Sequence, residues 1–405
     1  MKQYRILIAG AGLGGLTAAS CLMKAGHQVE IYEQAPQLGE IGAGIQVSAN
    51  AFHVMRFLGI EDRLLARGVK PEAYVFRLHD TGEVIQRFSL SQEELHGAPY
   101  TQLHRADLHD ILADRARQAD PGVVRLNHRV TGFTETADGV ELNFADRPSV
   151  KGDILIGADG VKSVVRAQMF GAAPATYTGD SAWRLVVPTS RLPKDLLERV
   201  MSVFMGPEGH VVCYYLREGT LLNLVGCVET DEISEESWTT KRPWSDFKAQ
   251  FEGWHPAIQT IIDAADKDQC YLWALFNRPP IREWSTKRVT LLGDAAHPMY
   301  PQGGNGGAQA ILDAAMLAKL LASEADPVAA LKAYEEARLP VTSKIVLQNR
   351  TAPPNVIVDT VEQRTGGKKF EKLEDIISQD EMKAIFERYQ KVAGYHVQQV
   401  SRPQG

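Results

Sequence analysis

The sequence predicts an α/β fold in which a Rossmann-like domain carries an inserted, mostly β region and is followed by carboxyl-terminal helices. Residues 5–9 form a short apolar run typical of a buried strand, residues 13–25 repeat apolar side chains at helical spacing, and residues 29–32 form a second apolar run. Gly26 is well suited to end the helix between them. Strand, helix and strand in this order indicate the first crossover of a doubly wound sheet.

The middle of the chain has the alternating pattern of antiparallel strands. Between residues 183 and 228 several segments alternate apolar and polar side chains. Residues 217–220 are expected to form the turn of a hairpin that joins residues 211–216 to residues 221–228. This region is therefore predicted to be the β-rich insertion.

The buried pattern of the first domain returns later in the chain. Residues 154–156 and 289–292 are continuous apolar runs, and residues 308–322 are apolar on nearly every face of a helix, which predicts burial. Residues 380–392 carry one more amphipathic helix. The predicted domain limits are 1–72, 101–174 and 276–350 for the Rossmann-like domain, 73–100 and 175–275 for the β-rich substrate domain, and 351–405 for a helical segment.

Composition excludes several classes of function. The 405 residues carry a net charge of −6 without a basic stripe, so nucleic acid is not an expected partner. No apolar stretch approaches the roughly 18 to 20 residues that span a bilayer, and the first strand begins almost at the amino terminus, so we expect a cytoplasmic protein, a monomer or a homodimer. The 4 cysteines are scattered, which predicts neither a disulfide nor a metal site.

A glycine-rich motif lies where a dinucleotide-binding turn requires it. Gly10, Gly12 and Gly15 form GxGxxG directly after the first strand, and Glu33 ends the second strand, where an acidic side chain accepts hydrogen bonds from a ribose. A glycine turn without a ligand is the alternative, and the motif alone does not distinguish FAD from NAD. The residues expected to bind the dinucleotide here are Gly10, Gly12, Leu13, Gly14, Gly15, Glu33 and Gln34.

Three further segments carry a resemblance to a known family. DILIGADGVKSVVR at residues 153–166, RVTLLGDAAHP at residues 288–298 and HRADL at residues 104–108 follow the glycine motif in order. Together they resemble the class A flavoprotein aromatic hydroxylases. The resemblance implies FAD bound in a GR2-type Rossmann-like domain. No second GxGxxG follows a strand, which argues against enzymes with a separate Rossmann domain for NAD(P)H.

The resemblance extends the set of expected cofactor residues. Asp294 ends a buried strand and is placed for the ribityl chain, while the glycines of residues 303–307 open a buried helix whose N–H groups can stabilise negative charge on the flavin ring. The resemblance implies that Arg105 contacts FAD and that Asp159 has a role shared between FAD and NAD(P)H, with a structural ion pair or a helix cap as the alternative. The further residues implied are Gly44, Gln46, Arg105, Val130, Asp159, Asp294, Gly306, Gly307 and Ala308.

The family activity is hydroxylation of a small ring. The resemblance implies that NADH or NADPH supplies electrons and that O₂ supplies one oxygen atom through a flavin C4a-hydroperoxide. The expected substrate is a phenol, a hydroxybenzoate or a hydroxypyridine. Two alternatives stay open: an FAD-dependent dehydrogenase or reductase on the same scaffold, and a flavin-binding protein without turnover.

The substrate residues follow from the strand pattern and from the resemblance. Tyr214 and Tyr215 are neighbours on a predicted strand, so one ring faces each side of the sheet. The resemblance to hydroxylases of pyridine-type acids and of salicylate places Tyr215, Gln302 and Gln46 near the substrate, although Tyr215 could equally be a core tyrosine. A neutral amide cannot be a general base. The candidates are Tyr215, Gln302 and His297 for catalysis, Gln46, Tyr214, Tyr215, Pro301 and Gln302 for substrate binding, and Arg184 or Arg278 as a carboxylate clamp.

Overall fold

A computed structural model describes residues 2–39, 43–90, 96–172, 175–207, 209–230, 240–301, 304–349, 356–366 and 373–393. Within these ranges the strands are β1 (Arg5–Ala9), β2 (Gln28–Tyr32), β3 (Gly44–Val47), β4 (Ala73–Leu78), β5 (Val84–Ser89), β6 (Thr101–His104), β7 (Val124–Arg125), β8 (Val130–Glu135), β9 (Val140–Phe144), β10 (Val150–Gly152), β11 (Ile154–Gly157), β12 (Thr176–Pro188), β13 (Met201–Gly206), β14 (Gly209–Leu216), β15 (Leu221–Glu229), β16 (Tyr271–Asn277) and β17 (Val289–Leu291). The α-helices are α1 (Leu13–Lys24), α2 (Ala49–Leu58), α3 (Glu61–Arg67), α4 (Arg105–Ala119), α5 (Val164–Phe170), α6 (Trp244–Gln250), α7 (Pro256–Asp263), α8 (Asn305–Ser323), α9 (Pro327–Asn349), α10 (Val356–Thr365) and α11 (Gln379–Ala393).

A five-stranded parallel sheet forms the base of the molecule, in the order β17-β11-β1-β2-β7. Its central strand β1 pairs on both sides, and Ile6, Leu7 and Ile8 are completely buried because their aliphatic side chains meet apolar neighbours on both faces of the sheet. The carboxyl ends of parallel strands lie at one edge. The turns that follow β1, β11 and β17 therefore meet at that edge, where ligands of open α/β sheets bind.

The helices that follow β1 and β17 pack against each other. A β-carbon built on Gly14 of α1 would lie 2.5 Å from Cδ2 of Leu292 and 3.3 Å from Cβ of Ala310 in α8. Leu16 and Ala314 of these two helices belong to the same buried core. This close approach brings the amino-terminal glycine turn and the loop after β17 together, although almost 300 residues separate them in the sequence.

A seven-stranded sheet, in the order β16-β12-β15-β14-β13-β4-β5, makes up the second layer. Its pairs are antiparallel except for β13 and β4. We call the face that packs against α6 and α7 the outer face; its core includes Trp183, Phe247 and Ile258. We call the opposite face, which β3 and the helices α10 and α11 cover, the inner face; Tyr214 and Ile357 meet there.

The predicted α/β class is confirmed. β14 and β15 form the predicted hairpin, joined at Arg217–Gly219, and the buried helix and the carboxyl-terminal helix lie within α8 and α11. A small antiparallel sheet, β10-β9-β8, and the pair β3-β6 complete the described strands. The domain limits stay a prediction. In the part of the chain that the structure describes, no helix is both long enough and apolar enough to cross a membrane.

Candidate active site

The glycine turn after β1 is shaped by close backbone contacts. Gly10 has φ +101°, and a β-carbon built on it would lie 2.5 Å from the carbonyl oxygen of Ala158. A β-carbon on Gly15 would overlap the carbonyl oxygen of Gly10. Both positions therefore require glycine for folding as well as for any ligand.

Gly12 differs from its neighbours because nothing lies within 4 Å of its β-carbon position. It is the N-cap of α1, and no side chain caps the helix, so the first amides of the helix face open space with the positive end of the helix dipole behind them. Glu33 fixes the turn by accepting hydrogen bonds from the amides of Ala11 (2.9 Å) and Ala35 (2.9 Å). Such a turn suits a pyrophosphate.

The loop after β17 places Asp294 at the start of α8. The Asp294 side chain is exposed, and its Oδ1 lies 3.9 Å from the β-carbon position of Gly306. The guanidinium of Arg166 holds the loop by donating to the carbonyl oxygen of Ala295 at 3.0 Å. Gly304, with φ +62°, is the N-cap of α8 and offers no side-chain cap to the first turn. The structure thus brings together Asp294 and the glycines predicted for the flavin ring.

Asp159 has the structural role that the sequence left open. One oxygen of its carboxylate accepts hydrogen bonds from the amides of Val164 (2.8 Å) and Val165 (3.2 Å), at the start of α5. Burial raises the pKa of Asp159, although these hydrogen bonds act to lower it. The accepting oxygen of Asp159 therefore caps α5 and shapes the loop after β11, while the other, Oδ1, is buried and accepts no hydrogen bond within the described part of the chain, so the role of Asp159 towards FAD and NAD(P)H stays a prediction.

Arg105 and Val130 lie at the ends of neighbouring elements. Arg105 begins α4, and its amide donates to the carbonyl oxygen of Ala43 at 3.0 Å, just before β3. Val130 begins β8 and pairs with Phe144, whose ring contacts Tyr32 at the end of β2 with a centroid distance of 4.9 Å. Gln34, further along the chain from Tyr32, is exposed.

The inner face of the seven-stranded sheet has a defined pattern of side chains. Residues directly opposite each other on neighbouring strands point to the same face. Val212 and Val225, which we call the apolar floor, lie in its centre, and Tyr300 packs against the same cluster. The paired rows are His210, Cys227, Ala182 and Trp273; Val212, Val225 and Arg184; and Tyr214 and Asn223.

Tyr214, and not Tyr215, faces this site. Tyr214 is buried against Gly44, whose amide donates to Oδ1 of Asn223 at 2.9 Å. Burial raises the pKa of Tyr214 to about 12, against the opposing effects of the Arg184 charge and the Gln46 amide. Tyr215 packs on the outer face and donates its hydroxyl to the carbonyl oxygen of Leu197 at 2.9 Å. The role predicted for Tyr215 is corrected accordingly: it is a core tyrosine.

Gln46 lies between the inner face and the start of α8. Its Nε2 lies 3.5 Å from Sδ of Met201, and a β-carbon built on Gly304 would overlap its Oε1. That oxygen is buried and accepts no hydrogen bond from any described residue. The neighbouring Ile45 contacts Gly307, since a β-carbon there would lie 2.7 Å from Cδ1 of Ile45. Gln46 therefore offers an unsatisfied acceptor where a ligand would lie.

His297 is part of the protein core. Its Nε2 lies 2.6 Å from Oδ2 of Asp313, which also accepts from the amide of Gly293 at 3.1 Å, and Oδ1 of Asp313 accepts from Nε of Arg338 at 2.7 Å. Although burial raises the pKa of Asp313, the charges of His297 and Arg338 outweigh that effect and lower it to about 2. The catalytic role predicted for His297 is corrected: the ring holds the loop after β17 in place.

Of the remaining predicted residues, Gln302 lies outside the described residues, as does Gly303. Pro301 is exposed and follows Tyr300, whose hydroxyl pairs with Asp180. Ala308 is buried in the first turn of α8. The four cysteines are buried thiols, and the described residues contain no cluster that could hold a metal ion.

His210 is a site residue that the sequence analysis missed. It is buried on the inner face in the same strand as Tyr214, four residues earlier, with Val212 between them. Burial lowers the pKa of His210 to about 4, so its imidazole is neutral at pH 7. The sequence does show that His210 and Tyr214 share a face, because residues at i and i+4 of a strand point to the same side. This places His210 at the site only once the face of Tyr214 is known.

These features fit FAD. The open space at Gly12, the uncapped first turns of α1 and α8, the exposed carboxylate of Asp294 and the unsatisfied Gln46 oxygen follow one another between the two sheets. The first of these suits a pyrophosphate, and the others suit a polyol chain and a polar ring. Fold and site together define a flavin-binding oxidoreductase.

Comparisons with known proteins confirm this class. The family described as FAD binding domain matches residues 3–349. The chain is 37% identical over 352 residues to 3-amino-4-hydroxybenzoate 2-monooxygenase of Streptomyces platensis, covering 86% of this chain and 87% of the relative. It is 35% identical over 356 residues to 6-hydroxynicotinate 3-monooxygenase of Bordetella bronchiseptica, covering 84% and 89%.

Solved structures agree. Klebsiella pneumoniae HpxO complexed with FAD and uric acid superposes with a TM-score of 0.78 at 28% identity, covering 99% of this chain and 98% of that chain. A salicylate hydroxylase substrate complex gives a TM-score of 0.75 at 26% identity, with coverages of 99% and 98%. The chain belongs to the FAD binding domain family. The predicted cofactor FAD and the predicted monooxygenase class are confirmed.

Proposed function

We propose that the protein hydroxylates a small hydroxylated aromatic or N-heteroaromatic ring, with NADH or NADPH as electron donor and O₂ as the source of the inserted oxygen. The observation that carries the proposal is the apolar floor of Val212 and Val225, flanked by His210 and Tyr214, with Gln46 beside Tyr214. An apolar surface with a few convergent polar groups is typical of a small-molecule site. The names of the relatives, which act on hydroxylated rings, support it.

FAD, when bound, supplies the transfer of electrons and the activation of O₂. We propose that its pyrophosphate binds at the first amides of α1, its adenosine part near Glu33 and Val130, its ribityl chain at Asp294, and its ring at the first turn of α8. The remaining residues that we assign to the FAD site are Gly10, Gly12, Leu13, Gly14, Gly15, Gln34, Gly44, Gln46, Arg105, Gly306, Gly307 and Ala308.

The chain's own residues would activate and orient the ring. Because its pKa is raised to about 12, Tyr214 keeps its proton at pH 7 and donates a hydrogen bond to the ring oxygen. His210 is neutral at pH 7 because burial lowers its pKa to about 4, so its imidazole can form a hydrogen bond with the substrate but is too weak a base to hold the phenolic proton. Val212 and Val225 exclude water from the ring. Oε1 of Gln46 accepts a hydrogen bond from an O–H or N–H group of the substrate.

The two sheets are built from different parts of the chain, which supports separate roles for them in binding FAD and substrate. We propose that residues 1–72, 101–174 and 276–350 bind FAD, and that residues 73–100 and 175–275 form the substrate domain. The strands of the parallel sheet all come from the first set, and those of the seven-stranded sheet come almost entirely from the second. The substrate site then lies where the domains meet, beside the contact of Gly44 with Tyr214.

Two rival functions are separated by one set of measurements. Purified protein with bound FAD is mixed with a phenol, a hydroxybenzoate or a hydroxypyridine under ¹⁸O₂, and NADH and NADPH oxidation and product mass are recorded. We expect ligand-stimulated oxidation and one ¹⁸O atom in the product. Turnover without label would identify a dehydrogenase or reductase, and no stimulated oxidation with any ring would identify a flavin-binding protein without turnover.

A further inference from the structure

Arg184 projects from β12 onto the inner face, beside the apolar floor. It is paired with Val225 across the strands, and its guanidinium stacks over the ring of Trp273 at 4.8 Å from the centroid. Protein surrounds the side chain, yet part of it keeps accessible surface, so it lines an internal recess. Its Nε is buried and donates to no described residue.

Among the described residues, the surroundings of Arg184 contain no counter-ion. Burial raises the pKa of the Tyr214 phenol on β14 and of the Cys227 thiol on β15, so both groups are neutral at pH 7. The other neighbour that acts on Arg184, Arg105 of α4, is itself a cation. The nearby Asp180 is directed to the hydroxyl of Tyr300. A desolvated cation without an anion is costly, which calls for an anionic partner from outside the described residues.

The geometry selects the kind of anion. Stacking on an indole holds the guanidinium flat and leaves the N–H groups of its edge free to bind in its own plane, which matches the two oxygens of a carboxylate. Arg184 and Tyr214 lie two strand spacings apart and are offset by two residues along the strands, so roughly 12 Å separates their backbones, with Val225 and Val212 beside this diagonal. A ring on the apolar floor can therefore reach Arg184 with one substituent and Tyr214 with another.

We propose that Arg184 binds a carboxylate of the substrate, so that the enzyme selects hydroxylated aromatic acids over neutral phenols. The inference rests on the proposed function and names its substrate class. The ring lies on Val212 and Val225, the carboxylate pairs with Arg184 on Trp273, and the hydroxyl points to Tyr214. Arg184 determines specificity and takes no part in proton transfer.

The test measures binding to the FAD-loaded protein by calorimetry. The probes are 3-hydroxybenzoate and 6-hydroxynicotinate, each with its neutral carboxamide. We expect the unchanged protein to bind the acids about 10- to 100-fold more tightly than the amides, as a charge-assisted pair predicts. Arg184→Gln should lose that preference while its affinity for the amides stays within about 3-fold, and Arg184→Lys should keep only part of it because a lysine lacks the planar fork.

Arg87→Gln is the matched control, since Arg87 lies on strand β5 of the same sheet, is exposed and pairs with Glu198. It should leave the ratio of acid to amide affinity unchanged. A preference for acids that survives in Arg184→Gln would overturn the inference, as would loss of FAD from that variant with an unchanged ratio. If the unchanged protein binds acids and amides equally, the inference fails and the proposed function stands; if it binds neither, both fail.

Discussion

Gly44 of β3 lies against the ring of Tyr214 of β14, so closely that a β-carbon on Gly44 would lie 2.6 Å from Cζ of the tyrosine and overlap its hydroxyl. The FAD-binding part of the chain and the seven-stranded sheet meet at this contact. The position of the Tyr214 hydroxyl is therefore set by a residue that has no side chain.

Gly44→Ala should displace Tyr214. We expect a loss of about 1–3 kcal/mol in the free energy of unfolding, the usual cost of overpacking, and a fall in kcat for ring hydroxylation. Chemical denaturation and steady-state turnover measure the two effects. Gly39→Ala is the control, because nothing lies within 4 Å of its β-carbon position. Unchanged stability and kcat in Gly44→Ala would contradict the contact.

Gly12 and Gly15 separate ligand binding from folding. A methyl group at Gly12 enters open space, so Gly12→Ala should cost about 1 kcal/mol or less in stability and still weaken FAD binding by about 10-fold or more. Gly15→Ala should destabilise the apoprotein by about 1–3 kcal/mol, because the methyl group overlaps the backbone of Gly10. Apoprotein melting and FAD titration distinguish the two. An unchanged FAD affinity in Gly12→Ala would show that the pyrophosphate does not bind at this turn.

Asp294→Ala should reduce FAD retention by about 10- to 100-fold, the effect of one charge-assisted hydrogen bond, without lowering apoprotein stability, since the side chain is exposed. The ratio of flavin absorbance to protein absorbance after gel filtration measures retention. Asp268→Ala, another exposed aspartate, is the control. A variant purified with full FAD content would refute the assignment of Asp294.

Tyr214 and Tyr215 give a second pair of opposite expectations. Tyr214→Phe should lower kcat by about 100-fold or more if its hydroxyl assists the substrate oxygen. Tyr215→Phe removes only the hydrogen bond to Leu197 and should cost about 1 kcal/mol of stability with kcat unchanged. Single-turnover rates and denaturation curves are the measurements. The reverse pattern would restore the original assignment of Tyr215.

The pair of Asp313 with His297 and Arg338 predicts a pH dependence of stability. The pKa of Asp313 in the folded protein, about 2, lies below its ordinary value, so its stabilising effect is complete above about pH 4 and is lost as the pH falls towards 2. Asp313→Asn should cost about 3–5 kcal/mol at pH 7, because it leaves buried Arg338 and His297 uncompensated. It should also flatten the decline below pH 4, as measured by denaturation at each pH. An equally steep decline in the variant would contradict the pKa shift.

The parts of the fold that depend on local pattern could be predicted from the sequence. The crossover around α1, the hairpin at Arg217–Gly219 and the buried helix α8 each have a short-range signal, in apolar period or in glycine position. The positions of Gly12 and Asp294 in the fold could be predicted for the same reason, since each comes shortly after a strand.

The substrate end could not be predicted in the same way. Alternation on β14 states that Tyr214 and Tyr215 face opposite sides, but only pairing with β15 and the approach of Gly44 decide which side is which. Arg184 and His210 are recognised only once the inner face is known, since no local pattern marks them. The helix cap at Asp159 and the ion pair of His297 depend on partners that fold next to them.

The helices α10 and α11 belong to the same apolar cluster as Tyr214 and Met201, through Ile357 of α10 and Met382 of α11. They lie beyond residue 349, where the match to the FAD binding domain family ends. Part of the apolar cluster that holds Tyr214 is thus encoded in a tail that lies outside the matched family region. Swapping this tail between homologous enzymes offers a route to new ring selectivity that leaves the redox machinery untouched.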